Sequence, residues 1–252
     1  MKAIIKNIIT FSLIGVAAYM FTDIIHEVIG HSGTCLILGD KITLLTSVYF
    51  RSVPGNFIID LGGPLFNLLF GILIFYILKR RKDLSVLTRL LFLLTMSYNF
   101  YLFSGTILQS SFSKTGDWAY TMKQLNIGMF GKALLILAGI TAYYISIKQI
   151  KAQFIKINLY FAEFPLRQSI YYSYCSAAIA AVIAGLFFAP ARATAAREGL
   201  LEMIASLPIL FIGSRDRIKV EAYETKSRHN FNIIIFILFI VFCLTLGQGF
   251  IL

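Results

Sequence analysis

Charged residues are scarce in this chain: only 14% of its 252 residues are Asp, Glu, Lys or Arg, whereas 58% are hydrophobic. A soluble domain carries roughly 25% charged residues. A water-soluble fold of this composition would therefore expose a very large apolar surface. The scarcity of charge excludes an ordinary soluble domain. It predicts an integral, multi-pass membrane protein, which we expect in a prokaryotic cell membrane.

Cysteines and acidic residues are also few. The three cysteines, Cys35, Cys175 and Cys243, lie far apart in apolar stretches, unlike the cysteines of a disulfide framework. Against 23 basic residues there are only 12 acidic ones, for a net charge of +11. In a soluble protein this excess would suggest nucleic acid as a partner. Here the basic residues lie in short segments between apolar runs, where they set topology. We expect a lipid bilayer and no nucleic acid as partner.

Long apolar runs predict an all-α polytopic membrane protein with six to seven transmembrane helices. The predicted spans are Ile8–Leu38, Phe57–Leu78, Val86–Leu108, Met129–Ile147, Ile170–Ala189 and Ile233 to the C-terminus. The segment Glu198–Gly213 is shorter and contains Glu202 and Pro208, so it fits either a short crossing or an interfacial helix. A β-branched and aromatic segment within 41–56 predicts a small interfacial β-hairpin or a re-entrant segment. The chain reads as one membrane domain, residues 1–252.

The basic segments predict the topology. They lie at 2–6, 79–82, 148–167 and 215–228. With the N-terminus in the cytoplasm, the first three face the cytoplasm together, as positively charged loops do. The fourth joins them only if Glu198–Gly213 crosses the membrane, which favours seven spans over six. The same arrangement places Asp40 and Asp117 on the opposite side.

Two of the three histidines lie in the motif HEVIGH, with His26 and His31 at its ends and Glu27 beside the first. It falls within the first apolar run, where ionisable residues are costly and tend to mark function. Two neutral imidazoles and a third protein ligand can bind Zn²⁺, and the glutamate can accept a proton from zinc-activated water. We predict His26 and His31 as metal ligands and Glu27 as the catalytic base. The alternative is that these side chains pair with one another without metal.

The spacing of the histidines is unusual for a helix. Residues five apart differ by about 140° around an α-helix, so the two rings would point apart. A π-bulge would correct this, as would unwinding at Gly30; otherwise only one histidine binds metal. Because Gly30 directly precedes His31, we expect the helix to bulge or break between His26 and His31, at Gly30.

Two resemblances support a zinc peptidase. HEVIGH resembles the H-E-x-x-G-H motif of the dipeptidyl-peptidase III family, in which both histidines bind zinc, over six residues only. Over roughly Ile8 to Tyr120 the chain resembles the site-2 protease family of intramembrane zinc metalloproteases. GGPLFNLLFG looks like that family's small-Gly-Pro-x-x-Asn helix. The resemblance implies a substrate-binding role for Asn67, together with Gly63 and Pro64.

The same resemblance implies a third metal ligand. The family has an Asn-Pro…Leu-Asp-Gly motif at the end of a later span; here Asn99 and Asp117 are present, but the proline and the Leu-Asp-Gly triplet are not. We expect Asp117 to be the third ligand, with Asp60 as the rival. Asp60 could instead be an interfacial residue that caps the helix beginning nearby, and Asp117 could instead be an interfacial loop carboxylate. The family would place the metal nearer the cytosol, whereas the basic segments place Asp117 on the other side. Glu202 receives no role.

Together these patterns predict a membrane-embedded zinc metalloendopeptidase. Residues 1–128 would form a catalytic core of three spans, and 129–252 would add further spans. The substrate would be a membrane-spanning or membrane-proximal peptide, bound as an extended strand beside Ile42–Phe50. Two alternatives stay open: a non-catalytic membrane protein, such as a transporter or a degenerate relative that binds membrane partners, and a zinc hydrolase acting on lipid or a small amide.

Overall fold

The computed structural model describes residues 2–212 and 229–251, the side chains of 2–4 excepted. The α-helices in these ranges are α1 (Lys2–Asp23), α2 (Gly33–Leu38), α3 (Phe57–Arg80), α4 (Val86–Phe112), α5 (Asp117–Gln124), α6 (Met129–Tyr160), α7 (Leu166–Leu186), α8 (Arg192–Ala205) and α9 (His229–Phe242). Two π-helical segments are Ile24–Ser32 and Cys243–Gly247, and two 3₁₀ turns are Ala189–Ala191 and Leu207–Phe211. The predicted all-α class is confirmed.

Six of the described helices are long and apolar enough to cross a membrane. The first runs from Ile5 to Leu38 through α1, a π-helical segment and α2. Helices α4 and α6 extend furthest beyond the ends that the sequence predicted. Helix α4 continues to Phe112, and in its last turn Ser111 Oγ donates to the Ile107 carbonyl at 2.8 Å.

Helix α6 continues beyond the predicted end of its span, to Tyr160. Its basic residues were expected in a loop, but lysine is a good helix former and imposes no break. The apolar residues between the lysines keep one face of the helix in the core. These buried residues are Ile150, Phe154 and Ile157. Most of the predicted basic loop, residues 148–160, is therefore the final part of a helix.

The predicted β-hairpin is confirmed and gains a strand. Strands β1 (Lys41–Leu45) and β2 (Phe50–Val53) pair antiparallel directly after the first span. Strand β3 (Phe250–Ile251), which the sequence did not suggest, pairs with the other side of β1. The strand order is β2-β1-β3, so β2 is an outer strand of the sheet.

Helices α7 and α9 run in the same direction as α1. Near their starts, Ser173 Oγ donates to the Phe11 carbonyl at 2.7 Å, and Asn232 Nδ2 donates to Thr10 Oγ1 at 3.3 Å. At their far ends, β3 joins the hairpin that follows the first span. Two consecutive long helices with the same direction require a return between them.

Helix α8 runs back along α7. A Cβ on Gly185 would touch the backbone of Ala195, and further along α8 the Met203 carbonyl accepts from Tyr174 Oη at 2.9 Å. With 14 residues, α8 is not among the six described helices that are long and apolar enough to cross a membrane. The seventh crossing through Glu198–Gly213 stays a prediction, and its basic cluster at 215–228 lies outside the described residues.

Helices α1 and α4 form the centre of the bundle. In the most apolar part of each span, 67% of the residues are buried in the first span and 72% in α4, against 11% in α6. Phe11 and Ile14 of α1 and Leu93 and Tyr101 of α4 are almost completely buried. Because α1 leads directly into HEVIGH, this packing fixes the motif in the interior.

Candidate metal centre

A π-helix, not an α-helix, carries HEVIGH. The segment Ile24–Ser32 is π-helical, and the N–H of Gly33 reaches back five residues to the Val28 carbonyl. Residues five apart then lie on the same side of the helix. The Nε2 atoms of His26 and His31 are accordingly 3.2 Å apart, with ring centroids at 4.8 Å. The predicted bulge between the two histidines is confirmed.

Gly30 does not break the helix. It stays inside the π-helical segment, so of the two expected departures from the α-helix, a bulge or a break, the structure shows the bulge. Its smallness serves packing instead: a Cβ there would lie 2.6 Å from the Cα of Gly63 in α3. A Cβ on Gly62 would likewise lie 2.5 Å from the Gly30 carbonyl oxygen. Three glycines thus bring the two backbones into direct contact.

Gly63 also lies directly beside both imidazoles. A Cβ on Gly63 would lie 2.8 Å from His26 Nε2 and closer still to His31 Nε2. Pro64 follows it, buried inside α3. The structure therefore brings these two motif positions to the histidine pair. Their predicted role in substrate binding stays a prediction.

Asn67 forms a hydrogen bond with His26. The side-chain amides of Asn67 and Asn99 have a fixed orientation, because a backbone carbonyl bonds the second of them. Asn99 Nδ2 donates at 2.8 Å to the Thr95 carbonyl oxygen, which can only accept. Asn99 therefore presents Oδ1 to Asn67, whose Nδ2 donates at 2.8 Å. Asn67 in turn presents Oδ1 to His26 Nδ1 at 2.5 Å. An amide oxygen only accepts, so His26 carries a proton on Nδ1. A neutral His26 then directs the lone pair of Nε2 into the site.

His31 is held in the same way. Its Nδ1–H donates at 2.7 Å to the carbonyl of Ile59 in α3, so a neutral His31 also directs the lone pair of Nε2 into the site. On its face, Phe50 of β2 stacks with ring centroids 5.4 Å apart and an angle of 15° between the planes. Such outer partners fix the tautomer and orientation of metal-binding histidines.

Asp117 completes the group from a separate element. Its Oδ2 lies 3.4 Å from His26 Nε2, and its Oδ1 lies 3.5 Å from His31 Nε2. Gly116 precedes it with φ of 105°, a left-handed conformation that favours glycine. Burial raises the pKa of the Asp117 carboxyl; when the imidazoles of His31 and His26 carry a proton, their charge and a hydrogen bond from His26 outweigh burial and hold the pKa below its usual range.

The rival carboxylate, Asp60, has a different partner. It lies in the first turn of α3, and its Oδ2 accepts from Gln124 Nε2 at 3.2 Å. Of the two predicted candidates, the structure brings Asp117 to both imidazole nitrogens.

Glu27 lies beside the histidine nitrogens. It is buried, with 4% of the residue exposed, and its Oε2 finds no hydrogen-bond partner among the described residues. One ligand atom from each of His26, Glu27 and His31 lies within 4.8 Å of the others, so these residues could hold a metal ion. A free carboxylate oxygen at this distance can also accept a proton from a molecule bound between them.

The residues around the histidines were only partly predicted. Asn99 was noted without a role, although an asparagine in an apolar span is itself a signal of function or pairing. The Ile59 carbonyl and the Phe50 ring leave no sequence signal. Compared with known proteins, the chain matches no family model, no curated protein and no solved structure.

Proposed function

We propose that this protein is a membrane-embedded zinc metalloendopeptidase. One observation carries the proposal: with both histidines neutral, three hydrogen-bond acceptors, His26 Nε2, His31 Nε2 and the Asp117 carboxylate, converge with no donor among them. Three converging lone pairs repel unless a cation lies between them. Only an added proton or a metal ion supplies that charge.

The distances favour a metal ion, and specifically zinc. Ligands at about 2.0–2.1 Å from a tetrahedral ion are about 3.3–3.4 Å from one another. In this site the two Nε2 atoms are 3.2 Å apart, Asp117 Oδ2 lies 3.4 Å from that of His26, and Asp117 Oδ1 lies 3.5 Å from that of His31. Two nitrogens and one carboxylate oxygen are also a typical catalytic zinc set, which keeps a fourth position open. His26, His31 and Asp117 would hold the ion.

The ion would polarise a carbonyl group and make a water molecule acidic near neutral pH. Glu27 would accept the proton of the water that attacks the peptide carbonyl carbon. As the C–N bond breaks, Glu27 would pass that proton to the leaving amine nitrogen. Asn67 and the Ile59 carbonyl would keep both imidazoles oriented throughout. The close contact between α3 and the π-helical segment supports exclusion of bulk water from that side.

The outer strand β2 supports an extended substrate. It forms one free side of the three-stranded sheet, and its Phe50 stacks on His31. A peptide added to this side would pair by main-chain hydrogen bonds. Its peptide bonds would then run past the histidines in extended form, which a helical span would not allow. We therefore propose a membrane-spanning or membrane-proximal peptide as substrate.

Metal analysis tests the centre. The full chain, purified in detergent without chelator, should contain about one zinc per molecule. His26→Ala, His31→Ala and Asp117→Asn should each lose most of it, whereas His229→Ala, the same change at the third histidine, should not. Zinc content unchanged in His26→Ala and His31→Ala would sink the proposal.

Cleavage of synthetic single-span peptides, read by mass spectrometry, tests the reaction. Glu27→Gln should keep its zinc and lose activity by about 10²–10⁴-fold, the range for a general base. Glu163→Gln, an exposed glutamate, should leave activity unchanged. Zinc binding with hydrolysis of lipid or small amides, and none of peptides, would instead make the protein another kind of zinc hydrolase.

A further inference from the structure

A small cavity lies between α1, α4 and α8, next to the candidate metal centre along the chain. Its volume is about 20 Å³, which is room for one water molecule or one small ion. Six polar residues line it: Tyr19, Thr22, Asp23, Tyr98, Glu202 and Ser206.

Three of these side chains are buried and carry atoms without partners. Asp23 is 4% exposed, Tyr19 3% and Tyr98 1%. Among residues 2–212 and 229–251, the Asp23 Oδ2 atom and both phenol oxygens find no hydrogen-bond partner. Buried polar atoms in folded proteins are nearly always paired, because leaving them unpaired costs free energy. All three residues line the same cavity, so one ligand bound there would lie near all of them.

The charge of the cavity identifies the class of ligand. Asp23 from α1 and Glu202 from α8 line it, and in the part of the chain that the structure describes no Lys, Arg or His does so. Carboxylates inside a membrane protein are normally matched by a positive partner. We propose that this cavity binds one hard cation, of the Na⁺, Mg²⁺ or Ca²⁺ class. Carboxylate and hydroxyl oxygens suit these ions, whereas imidazole and thiolate suit zinc and copper.

The cation would connect two helices that are far apart in the sequence, α1 and α8. Asp23 lies one helical turn before His26, whereas Glu202 lies in the return helix α8. An ion held by both would fasten α8 against the helix that carries HEVIGH. This inference does not rest on the protease activity, because the cavity shares no residue with His26, His31, Asp117 or Glu27.

The unfolding temperature of the full chain in detergent tests the site, with the histidine centre saturated with zinc. Na⁺, Mg²⁺ and Ca²⁺ are titrated separately, with choline chloride holding ionic strength constant. At least one should raise the midpoint saturably, by about 5–10 °C at one hundred times its Kd. Asp23→Asn and Glu202→Gln should abolish the rise. Asp83→Asn, an exposed carboxylate paired with Arg81, should keep it.

Two results would overturn the proposal. One is no saturable rise with any of the three ions, as for a carboxylate pair that merely shares a proton. The other is a rise that His31→Ala abolishes while Asp23→Asn retains it, because the ion would then bind at the histidines.

A measurement on the unmodified protein covers the case in which the variants do not fold. Tb³⁺, a luminescent substitute for Ca²⁺, should emit on excitation of tyrosine, since Tyr19 and Tyr98 line the cavity. The stabilising cation should displace it competitively, and excess Zn²⁺ should not. Absence of sensitised emission, or its displacement by zinc alone, would count against a separate site.

Discussion

Gly63→Ala is the sharpest test of the histidine arrangement. The new methyl group would lie 2.8 Å from His26 Nε2 and even nearer to His31 Nε2. Ordinary contact needs about 3.4 Å or more, so the His26 ring must move by about 0.6 Å and the His31 ring by more, unless α3 shifts. Zinc sites tolerate distances within about 0.2 Å of their usual values. The geometry of the proposed zinc site therefore cannot survive unchanged.

We expect the zinc Kd of Gly63→Ala to rise about 10–100-fold, as when partners of metal ligands are altered. That range corresponds to about 1.4–2.7 kcal/mol of binding free energy. In an ordinary helix the same change would be stabilising, since alanine is favoured over glycine by about 1 kcal/mol. Competition against a fluorescent zinc chelator measures the Kd directly.

Gly71→Ala is the matched control, eight residues further along α3. Its Cβ would lie 2.6 Å from the Phe100 ring, far from the histidines in sequence and contact. It should lower the unfolding temperature and leave the zinc Kd within about threefold of the unmodified protein, because it disturbs packing only. An unchanged zinc Kd in Gly63→Ala would refute the placement of the imidazoles against α3.

Three further predictions concern the ligands, their support and the topology. Asp60→Asn should leave the zinc content unchanged, whereas Asp117→Asn should lower it. The opposite result would mean that Asp60, and not Asp117, is the third ligand. Asn99→Leu should raise the zinc Kd about tenfold, because Asn67 loses a hydrogen-bond partner. Asn230→Leu, a change at an exposed residue, should not raise it. Equal effects would show that the hydrogen bonds from Asn99 through Asn67 to His26 do not support zinc binding. With a cytoplasmic N-terminus, Lys41→Cys should react with an impermeant maleimide in intact cells and Lys82→Cys should not; the reverse pattern would invert the topology.

Much of the fold was accessible from sequence because membrane crossing imposes a strong local constraint. Apolar length alone located the long helices, and β-branched residues marked the hairpin over 41–53. The end of α6 was missed because the sequence signal for a loop, a series of lysines, is equally compatible with helix. The third strand, Phe250–Ile251, was inaccessible, since two residues carry no periodicity and their partner is about 200 residues away.

The candidate site was likewise predicted only where the sequence carries a local signal. The spacing of His26 and His31 required a departure from the α-helix, and physical reasoning named the π-bulge as one solution. It left open how Gly30 acts, because glycine serves backbone flexibility and close packing equally well, and the sequence does not distinguish the two. The contact with Gly63 that decides between them lies in another helix.

Groups that act through tertiary contacts gave the weakest signals. The Ile59 carbonyl is a backbone atom and leaves no mark on the sequence, yet it orients His31. Glu202 appeared as an isolated acid in an ambiguous segment. Its neighbours Asp23 and Tyr98 come from helices about 180 and 100 residues earlier, so only the folded bundle reveals the cavity they share.

The position of β3 has a consequence for how the protein is made. All four residues of the HEVIGH and Asp117 constellation lie within the first 117 positions, but the sheet beside them closes with residues 250–251. During synthesis the early helices enter the membrane long before that last strand exists. The hairpin must wait, paired on one side only, while more than half of the polypeptide is translated. Ribosome arrest or premature termination would therefore leave the histidine pair beside an incomplete sheet.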